Sequence, residues 1–287
     1  MNAMITDTRA NAVIEVRGDL RREMVRATLR ALGRSLVTAL GTLLIVLVLW
    51  QAVISFTKVS PYVAKGPADV WAWLVSGKDA TTHLSDILGL VGVTLVDTVA
   101  GFVAGMVAAL VLAVVFRLSR GVQTAVMPIA LLLRSVPLVA IAPVIILITG
   151  IGSPASVAVI GGIVVLFPAL ANIMFGLASA SPQALDVVRV YGGGTWTAIR
   201  KVALPSALPS IFAATRISVP GAITGALLAE WLSTGTGVGG MINKYITQAQ
   251  FSALWSAVVI VTLIALVLYN LVQLAENVVL TRMGLRR

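Results

Sequence analysis

Residues 181–209 read SPQALDVVRVYGGGTWTAIRKVALPSALP, the longest run that is both polar and regular in a chain otherwise rich in apolar residues. The pattern predicts two short helices joined by a glycine turn. Ser181 suits the N-cap of the first helix, Pro182 its first position, and Gly192 a left-handed C-terminal cap. Gly193 and Gly194 leave the turn free to reverse. Thr195 is placed to cap a second helix carrying Trp196, Ile199, Val202 and Leu204, which Pro205 is expected to close.

The spacing in this run resembles the EAA coupling loop of bacterial ABC importer permeases. The family pattern is EAA, three residues, Gly, nine residues, then a branched residue, any residue, Leu and Pro. Asp186, Val187 and Val188 stand at EAA, Gly192 at the Gly, and Val202, Leu204 and Pro205 at the end. Val187 and Val188 are bulkier than the family alanines. The resemblance runs from about Thr94 to the C-terminus and is nearest to the sulfonate, nitrate and taurine permease group. It implies an all-α membrane protein of the type I importer permease kind. Asp186, Val187, Val188, Gly192, Trp196, Val202, Leu204 and Pro205 would then couple the chain to a cytoplasmic ATPase.

Composition outside this run is that of a membrane protein. The chain has 287 residues, 59% hydrophobic and 11% charged, with a mean hydropathy of +1.01. A soluble domain of that size cannot hide so much apolar surface. The net charge of +10 comes from basic residues set beside apolar runs rather than on a nucleic-acid face. Cysteine is absent, which excludes disulfides and thiolate chemistry. The single histidine, His83, has no second histidine with which to share a metal and reads as a solvated surface residue.

Six spans follow, at about 36–56, 87–116, 122–149, 155–179, 206–228 and 253–273, with the coupling loop, 181–205, between the fourth and fifth. Residues 1–35 carry seven arginines and read either as a basic amphipathic helix on anionic headgroups or as a frayed tail. The first apolar run is too long for a signal-peptide core and reads as an anchor. Lys58 to Asp86 is an external loop with one short helix near 70–75. Pro137 and Pro143 predict kinks or breaks in the third span. Gly101 and Gly105 form a small-xxx-small step suited to close helix packing. On this topology 15 Lys and Arg residues lie on the coupling-loop side and 4 on the other, which places both termini in the cytoplasm.

Charges inside spans point to a transport path or to packing pairs. Arg134 stands 14 residues past Arg120, a helical rise of about 21 Å, and Arg216 stands 11 past Pro205, about 16 Å. Asp97 enters the second span from outside, and Glu230, at the start of the external segment 230–251, matches a family glutamate. These four are candidates for the translocation path; the alternative is structural pairing of Asp97 with an arginine. Family members commonly open this span with Ser or Thr, Leu, any residue and Arg, whereas this chain has Thr94-Leu95-Val96-Asp97. That reversal weakens the argument for an anionic solute.

Gly235 to Gly240 satisfies GxGxxG but follows an apolar span with no βαβ unit around it, so it is a weak dinucleotide signal. No Walker A pattern, acid pair, nucleophile–base set or HExxH occurs. The chain therefore reads as non-catalytic, with no cofactor or metal of its own. The resemblance implies two ATP-hydrolysing cassette subunits, an external solute-binding protein and a second copy of the chain, moving solute by alternating access. A secondary transporter is the rival class, against which no internal repeat is found. Sulfonates, nitrate-like ions, and pyrimidine or other vitamin-like precursors are all open as solutes.

Overall fold

A computed structural model describes residue 38 and residues 40–283, all helix and connecting turns with no strand among them. The expectations for residues 1–35 lie outside the described residues. The chain divides into two compact units after Ala68. In the first, α1 (Leu40–Phe56) exposes Leu44, Leu49 and Val53 around its circumference, as a helix bathed in lipid would.

Helix α2 (Pro67–Trp71) contains the boundary and passes into a π-helical turn over Ala72–Ser76. His83 is half-buried, not solvated: its ring stacks on Trp73 with centroids 4.0 Å apart and its Nδ1 lies 3.2 Å from the Trp73 carbonyl. The long helices follow as α3 (Ala80–Leu118), α6 (Pro154–Ala178), α9 (Leu204–Ala229) and α11 (Phe251–Arg282). Between α3 and α6 the predicted third span is two helices, α4 (Arg120–Ser135) and α5 (Leu138–Thr149). The break falls at Val136, where the ring of Pro137 disfavours helical backbone in the preceding residue. Pro143 sits inside α5 and does not divide it. Among the described residues four helical stretches are long and apolar enough to cross a membrane, and α1 and α5 are shorter apolar helices.

Glycine decides how the long helices meet. A Cβ on Gly101 of α3 would stand 2.8 Å from Gly161 Cα of α6, and one on Gly225 of α9 would stand 2.7 Å from the same atom. Three backbones therefore cross at Gly161 with no side chain between them. One turn further, a Cβ on Gly105 would lie 2.5 Å from the Gly162 carbonyl oxygen. The Gly101–Gly105 step is thus the face that α3 lays on α6. Alanines extend the seam: Ala109, Ala113, Ala169, Ala203, Ala207 and Ala214 are buried with Phe116, Ile173 and Leu177.

A Gly225→Ala change forces a methyl into backbone and is expected to destabilise the bundle by about 1–3 kcal/mol. Gly92→Ala on α3, where nothing lies within 4 Å, is expected to be neutral or slightly stabilising. Thermal melts of the two variants in one detergent check the contrast.

Candidate functional site

The polar hairpin is built as its spacing predicts at the first helix and differently at the second. Ser181 Oγ accepts from the Ala184 amide, and Pro182 opens α7 (Pro182–Val190). Gly192 has φ +76°, its amide donates to Arg189 O at 2.9 Å, and the Gly193 amide donates to Val188 O at 2.8 Å. Those two bonds form a Schellman motif. The next helix starts at Thr195, but Gly194 is the N-cap and Thr195 does not cap it.

Pro205 does not close that helix. From α8 (Thr195–Ala198) the chain makes a π-helical turn over Ile199–Ala203 and continues into α9, giving unbroken helix from Thr195 to Thr234. The Leu204 amide bonds to Ile199 O, five residues back, which widens the ladder just ahead of the proline ring. The predicted boundary at Ser206 is absent for that reason.

The hairpin has two faces. Leu185, Val202 and Leu204 pack on the alanine-rich core, and Ala198, Ile199 and Ala203 are buried. Outward, Val187, Val190, Tyr191 and Trp196 are exposed, Val190 by 84% and Tyr191 by 87%. Such an apolar cluster at the tip of a hairpin is a mark of a binding surface. Val190 and Tyr191 were absent from the sequence candidates, although they stand three and four residues past Val187 on one helix face. Asp186 is held by Arg189 in an exposed i,i+3 ion pair of 3.0 Å. Val188 is half-buried, shielding the turn beneath Gly193.

The charged candidates fall on different elements. Arg134 lies in the last turn of α4. Arg216 Nη1 stands 3.1 Å from Oε2 of Glu276 on α11, and its guanidinium lies 5.8 Å from the Tyr269 ring centre. The ion pair lacks an aligned hydrogen bond, since Arg216 Nε and Glu276 Oε2 are buried without a hydrogen-bond partner. Asp97 is half-buried on α3 and forms no ion pair among the described residues. The alternative of a packing pair is met for Arg216 by Glu276 rather than by Asp97. Glu276 was missed because the sixth span was expected to stop at 273, whereas α11 runs to Arg282.

Glu230 is wholly buried and serves as an internal latch. It opens a third π-helical turn, Glu230–Thr234, ahead of α10 (Gly237–Thr247). Its Oε2 accepts from the Gly239 amide at 2.7 Å and from Thr94 Oγ1 at 3.0 Å, while Thr94 Oγ1 accepts from the Val238 amide at 2.9 Å. A carboxylate and a hydroxyl thus satisfy the first free amides of α10 and tie it to α3. The glycine run makes room: a Cβ on Gly237 would collide with the Glu230 carboxylate, and one on Gly239 with Leu227 O. The GxGxxG pattern cradles a carboxylate of its own chain.

A family model for the inner membrane component of binding-protein-dependent transport systems matches residues 101–284. The chain belongs to that family. It is an ABC transporter permease subunit, a non-catalytic component of the inner membrane. This permease is 32% identical over 259 residues to the riboflavin transport system permease protein RibX of Chloroflexus aurantiacus, covering 88% of this chain and 94% of the relative. It is 24% identical over 233 residues to the putative aliphatic sulfonates transport permease protein SsuC of Bacillus subtilis, covering 81% and 83%. In fold it is similar to a chain of the inward-facing MetNI methionine ABC transporter, with a TM-score of 0.53 at 20% identity over 74% of this permease and 100% of that chain.

Replacing Glu230 with Ala strands two buried donors, and the expected loss is about 1–3 kcal/mol of stability. Thr94→Val removes the same hydroxyl from the other side, so the double variant should lose less than the sum of the two. A double-mutant cycle on melting temperatures checks this coupling.

Proposed function

We propose that this permease works as a symmetric pair with two ATPases seated on the hairpin tips and a solute-binding protein at the opposite face. The observation that carries the coupling role is the exposed Val187–Val190–Tyr191–Trp196 cluster on a hairpin continuous with α9. An ATPase that grips those side chains as it closes moves α9 as one body, with no hinge at Pro205 to absorb the motion. The excess of Lys and Arg on the hairpin side supports a cytoplasmic location for the tip and both termini.

The solute is read as an organic molecule with an apolar or ring-shaped body, of the vitamin-like kind. A cavity of about 470 Å³ lies where α4 breaks from α5, walled by Ser135, Pro137, Ile141, Val164, Phe167 and Pro168. Ser135 offers the one hydroxyl, and the rest is aliphatic, aromatic or backbone. Irregular backbone at this depth is tolerated where it lines a cavity, and ligand sites are mostly apolar with a few polar groups. The higher identity to a riboflavin permease supports the same class. A second reading, an aliphatic sulfonate, draws support from SsuC and from Arg134, one residue before Ser135.

Two measurements test these readings. Tyr191→Ala with Trp196→Ala should leave the chain in the membrane and cut recovery of the ATPase in a pull-down at least tenfold, since buried aromatic anchors each carry about 2 kcal/mol or more. Undiminished recovery rejects the coupling role. Phe167→Ala should slow uptake of a flavin or pyrimidine in proteoliposomes by about five- to tenfold. Uptake of taurine by the wild type with none of either heterocycle favours the sulfonate reading instead.

A further inference from the structure

A second cavity, of about 270 Å³, lies on the membrane side of the hairpin. Arg117 and Arg120 at the junction of α3 and α4 line it with Arg189 of α7, and Gly194 and Thr195 complete the wall. Arg189 already holds Asp186, but Arg117 and Arg120 have no carboxylate partner among the described residues. Three arginines lining one polar hollow bring like charges together, which an anion bound there would offset. Arginine forks suit phosphate oxygens in particular.

The surroundings point to the source of that anion. The cavity opens where α3 ends, at Leu118, which is 45% exposed. Past Arg120, α4 exposes Val122, Ile129, Leu131 and Leu132 to whatever surrounds the bundle. Arginines at a helix end beside bare aliphatic surface match a lipid, whose chains lie along the aliphatics while its phosphate enters the basic hollow. We propose that this cavity is a binding site for the phosphate of an anionic phospholipid, which bridges the end of α3 to the coupling hairpin.

The bridge links two elements that alternating access would move against each other, so lipid composition would bias the position of the hairpin. The site rests on the proposed orientation only for which leaflet supplies the lipid, and binding in micelles tests it without that assumption. The full chain is purified in a neutral detergent and titrated with phosphatidylglycerol, phosphatidylcholine or inorganic phosphate. Melting temperature and the bound lipid seen by native mass spectrometry are recorded.

Phosphatidylglycerol should raise the melting temperature and stay bound, with little effect of the other two. Arg117→Gln with Arg120→Gln should weaken the apparent affinity for phosphatidylglycerol about fivefold per arginine removed. The Arg117→Lys with Arg120→Lys variant should keep part of it. Arg200→Gln with Lys201→Gln, exposed basic positions outside the cavity, should keep nearly all of it. The readout is the difference between lipids on one variant, so a general loss of stability cancels. Equal phosphatidylglycerol responses in the wild type and the Gln pair overturn the site. A full response to inorganic phosphate alone overturns the lipid as its source. Loss of ATPase recovery in the Gln pair, with the lipid response intact, overturns it in favour of an acidic side chain of the ATPase.

Discussion

Everything in this permease is arranged around the contact of three helix backbones at Gly161. In hydrocarbon there is no water for side chains to escape, so helix association depends on close packing. Glycines at 101, 161 and 225 remove the atoms that would hold the axes apart. Once α3, α6 and α9 cross there, the alanine seam closes on one side of the crossing toward the hairpin. On the other side Ala142, Ile146, Val157, Ile160 and Ala229 form a second, smaller core. The polar latch of Thr94, Glu230 and Gly239 sits beyond that second core, where α3 and α9 are still side by side. The coupling hairpin and the latch are therefore opposite ends of one rigid crossing.

Much of this was legible in the residues, for physical reasons that differ from place to place. The hairpin was readable because caps are local: Ser181, Pro182 and Gly192 act on neighbours within six residues. The Gly101–Gly105 face was readable because small residues four apart have few uses other than close packing. The break at Pro137 followed from the proline ring. Pro205 was misread because a helix can absorb a proline by shifting its hydrogen bonds to i→i+5, and that shift leaves no sequence mark. His83 was misread because its partner is a tryptophan ring ten residues away rather than a charge.

The charged residues were the least legible part of the candidate site. Arg216 and Glu276 are 60 positions apart and lie on different helices, so no spacing relates them. Glu230 was noticed because it matches a family glutamate, but its role depends on backbone amides, which every residue has and no residue type announces. The glycines after it were the available signal: three in four positions, at 237, 239 and 240, mark a place where something must approach the backbone closely. What approaches is the Glu230 carboxylate at Gly237, and backbone of Leu227 and Gly235 at Gly239 and Gly240.

The unbroken helix from Thr195 to Thr234 gives the molecule a mechanical character that a chain of separate segments would lack. Forty residues make a shaft of about 60 Å, twice the thickness of the bilayer's hydrocarbon. A tilt of about 5° about one end displaces the other by about 5 Å, a full helical turn, with no bond changed along the way. The shaft carries a π-helical turn near each end, over Ile199–Ala203 and Glu230–Thr234. Each such turn holds an extra residue in the winding, so reverting one to α-helix would twist the remainder by about 100°. The phase between the two ends of the shaft is thus set by two local bulges, and either one wound back into α-helix with its residue kept would put the hairpin and the latch out of register while leaving every long helix intact.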